Sequence, residues 1–226
     1  MYLVSLRIAS NCGLASAAHR LNRIIYSLNA YPINNELNYV LSLMVVGDKG
    51  QGQGEDVQYL MKELRKDFLD VRIIPSKSSN AVVFTGIKRG HGVLYPLIRN
   101  NAIPILPMIA GDNYEVFSFL VHNKEYFNKV ISEISENNII DYVNYEKVTD
   151  ANTLMSVLLR RVRELILYDL SDYELTILRT AYERGYFSWP KGMDINELAQ
   201  KFNVSKPLIS YYIRRSLNKI LNKILM

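Results

Sequence analysis

Residues 194–215 hold side chains whose types and spacing suit recognition of a polyanion rather than bond-making chemistry. Asp194 is placed to cap a helix, and Glu197 three residues on completes a capping box. Leu198 and Phe202 are set to face inward, and Ala199 supplies the small side chain that lets a second helix cross closely over the first. Asn203 takes the turn, where a positive φ is wanted and asparagine tolerates it better than most residues. Val204 plugs that turn and Ser205 can cap the next helix. Pro207 falls in the first turn of that helix, where a missing N–H costs little. Ile209 and Ile213 return to the core four residues apart. This leaves Ser205, Lys206, Pro207, Ser210, Tyr211 and Arg214, with Arg215 beside them, for the outward face of a recognition helix expected over 205–221. Cations on such a face reach phosphates or guanine edges in a major groove, and hydroxyls offer hydrogen bonds. An ordinary helical hairpin uses the same caps, but the small, turn and branched residues in register argue against it.

The charge balance points the same way. The net charge is +5, yet residues 1–150 carry 15 basic and 15 acidic side chains and contribute none of it. Residues 151–168 add three arginines and one glutamate, and residues 169–226 add nine basic and six acidic side chains. Ser205–Met226 holds Lys206, Arg214, Arg215, Lys219 and Lys223 with no acid. Such a segment fits double-stranded DNA, because neutralising phosphates releases condensed counterions. Charge alone leaves a solvated helix face open as the alternative.

The preceding stretch adds a more specific pattern. Leu170-Ser171-Asp172 opens a helix that runs to about Arg184. It leads into Ala181-Tyr182-Glu183-Arg184-Gly185-Tyr186-Phe187, with Pro190 three residues on, and then Glu197-Leu198-Ala199 and Val204-Ser205-Lys206. The block from Leu170 to Leu221 resembles the helix-turn-helix domain of the archaeal bacterio-opsin activator family. The resemblance implies DNA binding and control of transcription, and it sets Ser205, Lys206, Ser210 and Arg214 where the family's recognition helix carries its outward residues. Pro207 and Leu208 stand where small hydroxyl residues are usual, so a different base preference is implied.

The elements that must carry this region begin upstream. Period-two and helical spacings predict a strand over Tyr2–Ala9, a helix over Leu14–Leu28, strands near Ile33 and over Leu37–Gly47, a helix over Asp56–Phe68 and a strand over Val71–Pro75. The order then repeats: Ala81–Ile87 strand, Val93–Asn100 helix, Ile103–Ile109 and Tyr114–Val121 strands, Glu125–Glu136 helix, Ile139–Val148 strand. Two βαββαβ units predict an α+β fold of tandem ferredoxin-like repeats, 1–77 and 78–150, then a linker helix over 151–169 and an all-α helix-turn-helix domain over 170–226. In the linker, Leu154, Leu158, Val162 and Leu165 form an apolar stripe that either packs on its own domain or pairs with its twin in a homodimer.

Each repeat's first strand runs into a similar loop, Asn11-Cys12-Gly13 and Gly90-His91-Gly92. Either these glycines serve tight turns, or Asn11, Gly13, Gly90, His91 and Gly92 line a site for a small-molecule effector. The run Gly47–Gly54 lacks the Gly-Lys-[Ser/Thr] ending of a P-loop and reads as a connection. Other chemistry finds little footing. Cys12 is the single cysteine, which excludes an intramolecular disulfide and a multi-cysteine zinc site and fits a cytoplasmic setting. His19, His91 and His122 lack metal-ligand spacing, and no triad or carboxylate pair can be assembled, so no catalytic residue, metal or cofactor is expected. The longest apolar runs, Tyr39–Val46 and Ile103–Ala110, are strand-sized, and no membrane span or leader is expected. The expectation is a dimeric DNA-binding regulator. The rival readings are a small-molecule-binding enzyme and a protein-interaction adaptor, each with an accessory helical domain.

Overall fold

The computed structural model describes residues 1–45, 53–75, 81–90, 92–168 and 170–225. They form two compact units, Met1–Arg161 and Val162–Met226. The first contains β1 (Tyr2–Ala9), α1 (Gly13–Leu21), β2 (Ile25–Pro32), β3 (Leu37–Val45), α2 (Gln53–Leu64) and β4 (Phe68–Pro75). There follow β5 (Ala81–Arg89), α3 (Leu94–Arg99), β6 (Ile103–Gly111), β7 (Tyr114–Val121), α4 (Lys124–Ser135) and β8 (Ile140–Lys147). The α+β class and the doubled βαββαβ order read from the sequence are both present.

Several boundaries differ from the periodic reading: Ile33 falls just past β2 rather than in a strand, α2 begins at Gln53 rather than Asp56, and two larger shifts have a local reason. α1 stops at Leu21 instead of Leu28, because Asn22 turns left-handed (φ 49°, ψ 49°) and donates its N–H to the Ala18 and His19 carbonyls. Ile25–Leu28 therefore opens β2, with Ile25 and Ser27 buried on one face. Phe68 begins β4 instead of ending α2, paired opposite Lys88 and buried in the core.

The strand order is the main finding. One antiparallel sheet runs β4-β5-β3-β2-β6-β7-β1-β8. β5, from the second pass, sits between β4 and β3, and β1, from the first pass, sits between β7 and β8. The two passes have exchanged their first strands. Side-chain packing follows the exchange: Val4, Leu6 and Ile8 of β1 join a core with α3 and α4. Leu14, Ala15 and Ala18 of α1 join the other core, with Leu60 and Leu64 of α2 and Phe84 of β5. The short β1–α1 and β5–α3 connections thus cross from one half to the other. A three-residue pairing of β2 with β6 (Ile25–Ser27 opposite Met108–Ala110) joins the halves into one sheet.

The linker helix α5 (Ala151–Leu167) spans the division between the units. The second unit contains α6 (Asp172–Glu183), α7 (Ile195–Lys201) and α8 (Lys206–Leu225) around Ile177, Ala181, Leu198, Ala199, Ile209 and Ile213. Among the described residues no helix is long and apolar enough to cross a membrane.

Candidate nucleic-acid interface

Capping fixes each helix of the second unit. Ser171 accepts the Glu174 N–H at 3.1 Å while Glu174 accepts the Ser171 N–H at 2.9 Å, closing a capping box on α6. Asp194 and Glu197 do the same for α7, where Asp194 accepts from the N–H groups of Asn196 (2.6 Å) and Glu197 (2.9 Å). Phe202 ends α7 and Asn203 makes the turn at φ 52°, the positive value its position calls for. Val204 N–H then donates to Ala199 O at 3.1 Å, and Ala199 is buried where α7 meets α8. Tyr173 ties the three helices together, edge-on to Phe202 (6.0 Å) and to Tyr212 (5.2 Å).

α8 is therefore locked in rotation. Ile209, Ile213 and Ser216 are buried, and Ser205, Lys206, Pro207, Tyr211 and Arg214 are exposed, with Ser210 half-buried. Pro207, Ser210, Tyr211, Arg214 and Arg215 line one groove along the helix, which continues to Asn218 and Asn222. Ser205 and Lys206 line a second hollow with Asn196 and Gln200 of α7. The asparagines and Gln200 were not singled out from the sequence, although 207, 211, 214, 218 and 222 continue one helical spacing.

The five cations of α8 divide into two groups. Glu174 is buried, and its carboxylate takes Arg215 Nε at 3.2 Å and Lys219 Nζ at 2.8 Å. Lys223 donates to Ile166 O at 2.8 Å and lies over the Tyr168 ring at 3.6 Å. Arg215, expected on the outward face, thus holds α8 to α6 while its guanidinium also stands 5.9 Å from the Tyr211 ring. Among the described residues Arg214 has no acidic partner, and Lys206 is near enough to Asp194 to help lower that carboxyl's pKa. Backbone and Asn196 hydrogen bonds supply more of that lowering.

The first unit brings most of its singled-out loop residues to one place. A cleft of about 1070 Å³ is lined by Asn11 from the β1–α1 connection and by Gly90 and Gly92 from the β5–α3 connection, with Asn35, Arg89 and Asn137. His91 and residues 47–52 of the glycine run lie outside the described residues. Gly13 does not line this cleft. Its N–H donates to Asp67 Oδ2 at 3.0 Å, and a Cβ there would stand 2.7 Å from the Glu63 carbonyl oxygen and closer still to Asp67. Gly13 lets α1 meet the end of α2. Beside the cleft, Ser10 donates to Glu115 Oε2 at 2.9 Å, and Glu115 Oε1 is 3.6 Å from Lys88 Nζ, both charges being buried. Burial alone would lower the Lys88 ammonium's pKa, but Cys12, Glu115 and Asp67 around it carry it above the ordinary lysine value. Among the described residues no group of three or more His, Cys, Asp or Glu could hold a metal ion.

Residues 170–222 match the family model described as an HTH DNA binding domain, while neither the curated proteins nor the solved structures gave a match. With its capped helices, left-handed asparagine turn and exposed second helix, the stretch from Leu170 to Asn222 is a helix-turn-helix DNA-binding domain of the bacterio-opsin activator type.

Proposed function

We propose that the protein is a sequence-specific transcription regulator that lays α8 in the major groove of duplex DNA and acts as a homodimer. The observation that carries this reading is the sorting of α8 into a buried side and a side bearing Lys206, Ser210, Tyr211 and Arg214. Arg214 is the base-contacting candidate, with Ser210 and Tyr211 as hydrogen-bond partners and Lys206 and Ser205 at the phosphates. Pro207 shapes the first turn, and Arg215 orients α8 through Glu174. Domain limits of 1–77, 78–150, 151–169 and 170–226 belong to the same proposal. The test is selection of genomic fragments by the full chain, followed by mobility shifts. A reproducible motif whose binding is lost in Arg214→Ala supports the reading; failure to retain any duplex at low salt overturns it.

For the pairing of two copies, support comes from α5, where Met155, Leu158, Leu159 and Val162 are exposed at three- and four-residue spacing. The stripe read from sequence was Leu154, Leu158, Val162 and Leu165; the first and last of these are half-buried. For residues 1–150, the cleft shared by both crossing connections favours effector sensing over a purely assembling role.

A further inference from the structure

The connection between α6 and α7 carries the chain's single tryptophan. Its neck is drawn tight. Gly185 stands at φ +75°, a conformation that disfavours any side chain, and its carbonyl accepts N–H bonds from Ser188 (3.1 Å) and Gly192 (3.0 Å). Tyr186, whose N–H returns to Ala181 O at 2.8 Å, packs on the domain core. Phe187 meets the Tyr186 ring edge-on at 5.1 Å, and Lys191 Nζ lies 5.0 Å from the centre of that ring. Residues 186–191 therefore form a braced tip on a closed neck. At the tip Trp189 is 94% exposed. A large aromatic left in water on a braced support gives nothing to the fold, and it loses little freedom when something covers it.

The surroundings indicate what covers it. Arg184 and Lys191 flank the tip, and among the described residues neither has an acidic partner. Of the nearby acids, Asp194 is occupied in capping α7, and Glu183 stands exposed at the end of α6. The chain runs from Trp189 into Asp194, the cap of α7, within five residues. Asp194 accepts from the Asn196 side chain at 3.1 Å, and Asn196 lines one hollow with Ser205 and Lys206 at the start of α8. The tip thus leads into the side of the domain where the outward helix begins. In helix-turn-helix modules the helix that precedes the recognition helix crosses the DNA backbone, and here that helix is α7, which the tip feeds directly.

We propose that Trp189 seats against the DNA backbone beside the groove that α8 enters, its ring on deoxyribose and Lys191 and Arg184 on the flanking phosphates. The placement rests on the DNA-binding reading above. It is independent of base sequence, as backbone contacts are, so a mixed-sequence 30-base-pair duplex is an adequate probe. Because no second tryptophan contributes, intrinsic emission of the full chain reports on this site directly. Titrating the duplex at low salt, emission should quench and shift in step with the anisotropy of a labelled duplex. Trp189→Ala should weaken binding about tenfold, with Trp189→Phe intermediate and the circular dichroism of both variants unchanged. Saturated binding with silent tryptophan emission, or wild-type affinity in Trp189→Ala, overturns the placement alone and assigns the tip to a protein partner. Absence of any anisotropy change overturns the DNA-binding reading and the placement with it.

Discussion

Lys219 Nζ donates to Glu174 Oε2 at 2.8 Å across 45 residues of chain, and that contact, with Arg215 on the other oxygen, fixes which side of α8 faces the core. The same glutamate closes the capping box of α6, so one buried carboxylate sets both a helix start and a helix rotation.

Glu174→Gln keeps the size and removes the charge. Both cationic partners are partly exposed and can rehydrate, so the expected loss is about 1–3 kcal/mol, read as a lower urea midpoint for the C-terminal transition. Burial alone would raise the Glu174 pKa, but the Lys219 hydrogen bond, the Ser171 N–H and the charges of Lys219 and Arg215 hold it below its ordinary 4.5. A depressed carboxyl stabilises the fold above its unfolded value and loses that contribution as pH falls through the folded value. The wild type should therefore lose stability on acidification below about pH 4.5, and Glu174→Gln should lose less there. Parallel acid limbs for the two proteins would refute the assignment.

The division of the α8 cations predicts a division of phenotypes. Arg214→Ala and Lys206→Ala should each weaken DNA binding by on the order of 1–3 kcal/mol if they contact bases. Where one meets only a phosphate, the slope of log affinity against log salt should fall by about 0.9. Lys223→Ala should leave both quantities near wild type and lower thermal stability instead. Anisotropy titrations between 50 and 300 mM salt, about the range over which such slopes are resolved, separate these outcomes; equal effects at all three positions would refute the division.

Dimerisation through α5 is testable with one charge. Leu158→Glu places a carboxylate in the exposed apolar stripe and should convert a dimer to a monomer in sedimentation at micromolar concentration. A wild-type chain that sediments as a monomer, with no pairing on its selected DNA site, removes the stripe from consideration.

The two loop glycines should behave differently. Gly13→Ala drives a methyl group into the Glu63 backbone and should cost about 1–3 kcal/mol of stability without touching the cleft. Gly92→Ala, at φ +69° with Asn137 and Asn138 within 3.4 Å of a new Cβ, should cost about 1 kcal/mol and narrow the cleft itself. Thermal shift against carboxylates, nucleotides and amino acids should find a ligand that stabilises wild type by a few kcal/mol at saturation and loses its effect in Gly92→Ala. A screen without any shift would leave residues 1–150 as an assembly domain.

What the sequence made legible follows the range of each signal. The helix-turn-helix was readable because its determinants are local: Asp194 and Glu197 lie three residues apart, and Asn203 settles its own φ. Pairing partners are a different matter. Nothing in Tyr2–Ala9 says that it will lie beside Tyr114–Val121, because alternation fixes which face is buried and not which strand is adjacent. The roles of Arg215 and Lys219 were hidden likewise, since their counter-charge sits on another helix. The buried pair was within reach, however. Val82, Phe84, Gly86 and Lys88 alternate on the core face of β5, and Glu115, Phe117, Phe119 and Val121 on that of β7. A charge ending each apolar row is a readable sign of a buried partner.

The exchanged first strands also set a timetable for synthesis. Of these strands β1 leaves the ribosome first, yet its neighbours β7 and β8 begin at Tyr114 and Ile140. With about a hundred residues still to be made after Ala9, its edges wait roughly 5–20 s for a partner at ordinary elongation rates. Until then Val4, Leu6 and Ile8 have no core to enter, whereas β2 to β4 receive β5, the strand that belongs between β3 and β4, as soon as Arg89 has been made. The half built on β2 to β5 with α1 and α2 can therefore close first, while β1, made before either of its neighbours, is enclosed only when β7 and β8 arrive.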